Sequence, residues 1–408
     1  MLTTLHQIIV SLYLLAPLIA LLLCFRATLH FRLRLIGAVI LGLAIGASLE
    51  FVYAYLSSAS IRLWQLLLTA YLATSLLLIV KAFDALISKF LSRLMFRPAR
   101  PTAIIPNQLI FLGRFAILFC LGLPYVIASG MTYRPKVTSA DNPQSLLGVD
   151  YAPVTFTSSD GFRLSAWWIP STRPRAYNAN RTVLLCPGLA ADKSGQLVLI
   201  KQLVSECYNV LAIDFRAHGD STGQFCTFGD LERRDVLAAV HWLRSQHPGQ
   251  CQKIFGVGES TGAAALIAAA ADRDPDGQAI AAIVAYSPFA RLNELANDFS
   301  TQLFSKPIDA LIVRIGLPIA SAQTGADLAR FSPAELVSHL WPRPILIIHS
   351  EADELIPWEQ GEELYDAASF PKDHYWLERQ DHRQTISDDQ VAQYVLHFLN
   401  SAQPEPVI

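Results

Sequence analysis

The sequence has no CxxC pair, few charges and no basic stripe in its larger half, and each lack closes off a class of function. Its six cysteines, at positions 24, 120, 186, 207, 226 and 251, are far apart and without histidine partners at zinc-finger spacing. Neither a zinc site nor a thioredoxin-like centre is expected, and no other metal or cofactor is implied. Charged residues are only 16% of the 408. Residues 1–140 hold 12 of the 32 Lys and Arg but just Glu50 and Asp84 of the 34 acids, so the remainder is acidic. An acidic half cannot neutralise a phosphate backbone, which excludes nucleic acid as a partner.

What the chain does have is apolar sequence: hydrophobic residues make up 52%, and the excess lies before residue 135. Four runs, Ile8 to Phe25, Leu35 to Leu56, Leu63 to Val80 and Phe115 to Met131, are near the roughly 20 residues that cross a bilayer. They show no polar face, so buried core helices are the poorer explanation. A signal peptide would account for the first run alone, and that run lacks a basic start. Residues 1–133 are therefore expected to be a multi-pass membrane anchor of about four helices, with the lipid bilayer as partner. Arg26, Arg32 and Arg34 fall in the first link and Lys81, Lys89, Arg93, Arg97 and Arg100 in the third, against Arg62 in the second. The positive-inside bias then puts links one and three in the cytoplasm and both termini outside. The third link is amphipathic: Phe83, Leu86, Ile87, Phe90, Leu91 and Leu94 recur at helical spacing, which suits either a helix lying on headgroups or a short connector. Glu50, an acid inside the second run, is a candidate functional group without an obvious partner.

Residues 134–150, rich in Ser, Pro, Asn and Asp, read as a linker. From about Tyr151 the pattern changes. Val154 to Thr157 and Phe162 to Ile169 alternate around Ser159-Asp160-Gly161, predicting a hairpin. Short apolar runs follow at Val183 to Cys186, Val210 to Asp214, Ile254 to Gly258, Ile283 to Ser287 and Ile345 to His349, spaced by helical patterns such as Leu231 to Arg244. Runs apolar on both faces belong to a buried parallel sheet, so residues 151–400 are expected to form an α/β domain with its chemistry at the strands' C-terminal ends. Residues 401–408 are expected to be a flexible tail.

The third of these runs leads into Gly258-Glu259-Ser260-Thr261-Gly262 and then an Ala-rich helix to Ala271. A serine flanked by glycines two residues away, between strand and helix, predicts a strained turn that lifts the hydroxyl above the sheet. The Thr261 N–H, at the helix start, would face a developing oxyanion.

With these residues in place, the stretch from about 150 to 400 resembles the α/β-hydrolase family, in its serine aminopeptidase-like and esterase-like branch. Asp214-Phe215-Arg216-Ala217-His218-Gly219-Asp220-Ser221 is similar to that family's D-x-R-G-H-G-x-S loop, in which Arg216 and His218 would shape the loop. The resemblance implies a triad in chain order Ser260, Asp353 and His382. Asp353 follows the strand Ile345 to Ile348, with Glu351 and Glu354 as neighbouring alternatives. His382 follows the short strand Tyr375 to Glu378, with His374 as alternative; Asp381 stands where the family usually has glycine. Cys186-Pro187-Gly188-Leu189 resembles the family's H-G-x turn and implies the Leu189 N–H as the other oxyanion donor. A cap would lie at about 290–340 and set substrate choice.

The expected activity is a serine hydrolase acting on hydrophobic acyl or ester substrates. A serine peptidase of the proline-aminopeptidase type, an acyltransferase and a non-catalytic scaffold remain open, because such motifs specify a reaction class and not the molecule. The charge bias also generates a measurable expectation. A topology reporter fused at residue 140 should read as extracytoplasmic, and a cytoplasmic signal would remove the fourth span.

Overall fold

A computed structural model of the chain describes residues 118–133, 136–173, 177–304, 306, 308–379, 381–382 and 389–402, with Thr74, Ser75 and Leu78. The first three expected spans, the amphipathic link and Glu50 lie outside the described residues, apart from Thr74, Ser75 and Leu78, which are helical. The chain divides into two compact units. Residues 1–131 and 299–323 form one, and residues 132–298 with 324–408 form the other.

In the first unit a five-residue π turn, Leu118–Gly122, runs into the ten-residue helix Leu123–Thr132. The fourth expected span falls here. Among the described residues no helix is long and apolar enough to cross a membrane. The helix Ile308–Thr324 buries Ile308, Ile312, Gly316 and Ala320, a stripe of every fourth residue. Gly316 lies against Pro124, and the Gln323 amide donates to Ser129 Oγ at 2.9 Å.

The second unit is built on one eight-stranded sheet in the order β1-β2-β4-β3-β5-β6-β7-β8. The strands are β1 (Ala152–Thr157), β2 (Arg163–Ile169), β3 (Arg181–Cys186), β4 (Asn209–Ile213), β5 (Lys253–Glu259), β6 (Ile280–Tyr286), β7 (Ile345–Ser350) and β8 (Lys372–Leu377). β1 and β2 form the expected hairpin, β2 runs antiparallel to β4, and all later pairings are parallel. The hairpin turns on Gly161 at φ 89, with Ser158 Oγ donating to Asp160. In the segment read as linker, Pro143–Leu147 form a helical turn because Asn142 caps it and Ser145 returns the bond.

Alternating side chains of the central strands supply two cores, as a sheet covered on both faces requires. Leu184, Ile254 and Ile283 face α2 (Arg233–Gln246) and α3 (Thr261–Ala271), whereas Val183, Phe255 and Val284 face α1 (Leu197–Ser205) and α5 (Asp389–Ser401). A fifth helix, α4 (Trp358–Ala367), covers β7 through Leu364. Gly256 lets α3 come close, since a β-carbon there would lie 2.6 Å from Leu266 Cδ2. Of the stretch expected to be a cap, residues 299–323 belong to the other unit, while Ala334, Val337 and Leu340 join the sheet's core. The five described cysteines are free thiols.

An ionic cluster centred on Arg216 is embedded in this unit. Arg216 donates to Asp235 at 2.6 Å and to Asp160 at 2.7 Å, with the Asp235 side chain fully buried. Burial disfavours its charge, yet hydrogen bonds to Asp235 and Asp160 and the charges of Asp235 and Glu232 hold the guanidinium above its ordinary value. Removing one partner of such a pair strands the other, so Arg216→Leu should cost about 3–5 kcal/mol. A clear drop in the thermal unfolding midpoint of the full chain is expected; an unchanged midpoint would contradict this.

Candidate active site

β5 leads directly into Ser260, whose φ of 51 and ψ of −113 lie where a residue with a β-carbon is strained. Two backbone bonds pin it. Its N–H donates to Tyr286 O at 2.8 Å, and its carbonyl accepts from Ala264 N–H at 3.2 Å. The flanking glycines are required by space. A β-carbon on Gly258 would lie 2.6 Å from Ala263 N, and one on Gly262 would collide with the Cys186 and Pro187 carbonyl oxygens. The start of α3 therefore sits directly on the exit from β3. That exit is the turn Gly188–Ala191, closed by Ala191 N–H on Gly188 O at 3.3 Å. Among the described residues neither the Leu189 nor the Thr261 N–H is paired with a protein acceptor.

β7 delivers the carboxylate. Asp353 Oδ1 accepts from Leu355 N–H and Ile356 N–H, both at 2.9 Å, and Oδ2 accepts from His382 Nδ1 at 2.7 Å. Asp353 and His382 are both buried, whereas Glu351 and Glu354 are exposed. The alternative histidine lies elsewhere, as His374 is inside β8 with its ring against Tyr365 and Trp376. Thus the structure pairs two of the three residues expected as a triad and sets the third at the strained end of β5. Among the described residues no cluster could hold a metal ion.

A family model described as serine aminopeptidase, S33, matches residues 177–332. The uncharacterized protein YfhR of Escherichia coli O157:H7 is 28% identical over 295 residues, covering 70% of this chain and 93% of the relative. Lysophosphatidylserine lipase ABHD12 of Danio rerio is 28% identical over 200 residues, 48% of this chain and 49% of that one. Among solved structures, the Pyrococcus furiosus esterase Pf2001 matches at 25% identity with a TM-score of 0.54, covering 66% of this chain and 99% of the esterase. The fold is that of an α/β-hydrolase.

In the second unit the electrostatics of the pair are one-sided. Burial raises Asp353, but hydrogen bonds from His349, His382 and Ile356 and the His382 charge together hold its carboxyl well below the usual range. Burial opposes the His382 charge, but the Asp353 hydrogen bond and charge, with Glu259 and Glu354, raise it above the ordinary value. Sequence reasoning gave no role to His349, four residues before Asp353. Its Nε2 lies 3.0 Å from Ile356 O and 3.5 Å from Asp353 Oδ2, so it braces the acid's turn. A polar residue ending the apolar run Ile345 to Ile348 was the available signal.

A general base must be neutral to accept a proton, so with His382 as the base its raised value would shift the acid limb of activity upward. The acid limb of kcat/KM should lie above the ordinary histidine value of about 6.5. Asp353→Asn should move it to lower pH and reduce kcat about 10⁴-fold. An unmoved limb would show that His382 is not the titrating base.

Proposed function

We propose that this hydrolase is a membrane-bound serine esterase that cleaves carboxylic esters of hydrophobic acyl groups through an acyl-enzyme on Ser260. Two observations carry the reading: the buried Asp353–His382 pair at 2.7 Å, and a serine held at positive φ between two obligatory glycines. In the proposed reaction Ser260 Oγ attacks the acyl carbon while His382 Nε2 takes its proton, and Asp353 fixes the ring through Nδ1 and stabilises the imidazolium. The Leu189 and Thr261 N–H groups receive the charge that develops on the acyl oxygen. Collapse passes the proton to the leaving alcohol. Water then repeats the sequence on the acyl-enzyme, with His382 again as base.

Ester chemistry is supported by the lipase among the relatives and the esterase among the solved structures. Membrane attachment is supported by the apolar runs of residues 1–133, and the charge bias between them favours an extracytoplasmic hydrolase domain. Substrates embedded in or drawn from the bilayer suit such an anchor. The description of the matching family model favours a second reading, a serine aminopeptidase.

A fluorophosphonate probe should label the wild-type chain and leave Ser260→Ala unlabelled; equal labelling of both would remove Ser260 as nucleophile. Esters graded by acyl length, assayed against aminoacyl amides, should show ester turnover exceeding amide turnover. The reverse order would establish the peptidase instead.

A further inference from the structure

The loop after β4 and the turn after β3 are tied together by contacts that the proposed reaction does not use directly. Lys193 N–H donates to Asp214 Oδ1 at 2.8 Å, and its Nζ donates to Asp214 Oδ2 at 2.5 Å and Asp220 Oδ2 at 3.0 Å. These anchor the far end of the segment. A different bond reaches the turn itself: Ala190 N–H donates to His218 Nε2 at 3.2 Å.

The partners fix the state of that ring. Nδ1 lies 2.9 Å from Arg216 O, which can only accept, so Nδ1 carries a proton. Nε2 meets an N–H, which can only donate, so Nε2 carries none. The ring is a neutral Nδ1–H tautomer, only 7% exposed, and its backbone anchor Arg216 is itself locked by Asp235 and Asp160.

Ala190 needs such a hold. Its φ is 59, a conformation that an alanine leaves unless the surroundings enforce it. Relaxation to negative φ would rotate the Leu189–Ala190 peptide and shift the backbone that carries the Leu189 N–H.

We propose that His218 is a positioning residue that holds the Gly188–Ala191 turn in its oxyanion-binding form by accepting the Ala190 N–H on Nε2. The inference rests on the reading of Ser260 as nucleophile and Leu189 as oxyanion donor, and assigns His218 no contact with substrate.

The test compares His218→Asn with His218→Gln in the full detergent-solubilised chain, on a short chromogenic ester. Asn retains a donor for Arg216 O but is too short to meet Ala190, whereas Gln carries an acceptor to about the position of Nε2. His218→Asn should lower kcat about 10- to 100-fold, somewhat less than loss of an oxyanion donor outright, with KM changed less than about 3-fold. His218→Gln should stay within about 3-fold of wild type. Adding Ala190→Gly to His218→Asn should recover part of the loss, because glycine holds positive φ without help. This double variant and the Gln variant decide the question if His218→Asn alone fails to fold. The inference is overturned by Ser260-dependent turnover that is unchanged in His218→Asn, or that falls equally in Asn and Gln. Turnover persisting in Ser260→Ala would overturn the reading of the site first, and this inference with it.

Discussion

A β-carbon on residue 262 would collide with the carbonyl oxygens of Cys186 and Pro187, and the candidate site depends on that contact being possible. Because residue 262 is glycine, α3 begins against the exit of β3 instead of standing off by a side chain's width. Thr261 and Leu189 are thereby brought to one end of the sheet, and Ser260 is forced to positive φ between them. The strain is repaid by its backbone bonds to Tyr286 and Ala264 and by the fully buried helix packed behind it.

Charges do the remaining positioning, at a cost. Lys193, Asp214, Arg216 and Asp235 are all buried, and burying an ion is unfavourable unless its partners are complete. Here they are: Arg216 is shared between Asp235 and Asp160, and Asp214 takes bonds from Lys193 and the Asp220 N–H. Such clusters add little net stability, but they leave the loop after β4 one arrangement, and that loop contacts the turn holding Leu189.

Much of this was legible in the sequence because the signals are local. Apolar runs such as Val183 to Cys186 can only be buried strands, and Gly258 to Gly262 can only be a tight strand-to-helix turn. Each lies within the strand or turn observed. The Asp353–His382 pairing was reached by resemblance, since nothing in either residue's own neighbourhood names the other across β8. What was not legible depends on long-range contact. His349 looks like an ordinary polar residue at a strand end until the fold brings Asp353 to it, and the resemblance that gave His218 a loop-shaping role did not name Ala190 as its partner. Linker residues 143–147 read as irregular because their cap, Asn142, outweighs a turn-rich composition only once Ser145 answers it. The segment expected to be an anchor lies mostly outside the described residues, so its expected topology rests on hydropathy and charge alone.

The grouping of residues 299–323 with residues 1–131 makes the sheet-bearing unit discontinuous in sequence. A ribosome releases β3, β5 and the serine turn before that excursion, and β7 and β8, bearing the acid and the histidine, only after it. Six of the eight strands must wait for the other two. Trimming the chain at residue 132 to obtain a soluble catalytic fragment would also uncover the stripe of Ile308, Ile312, Gly316 and Ala320. A cleaner excision would join Asp298 to Thr324 as well, leaving no orphaned apolar helix to drive aggregation.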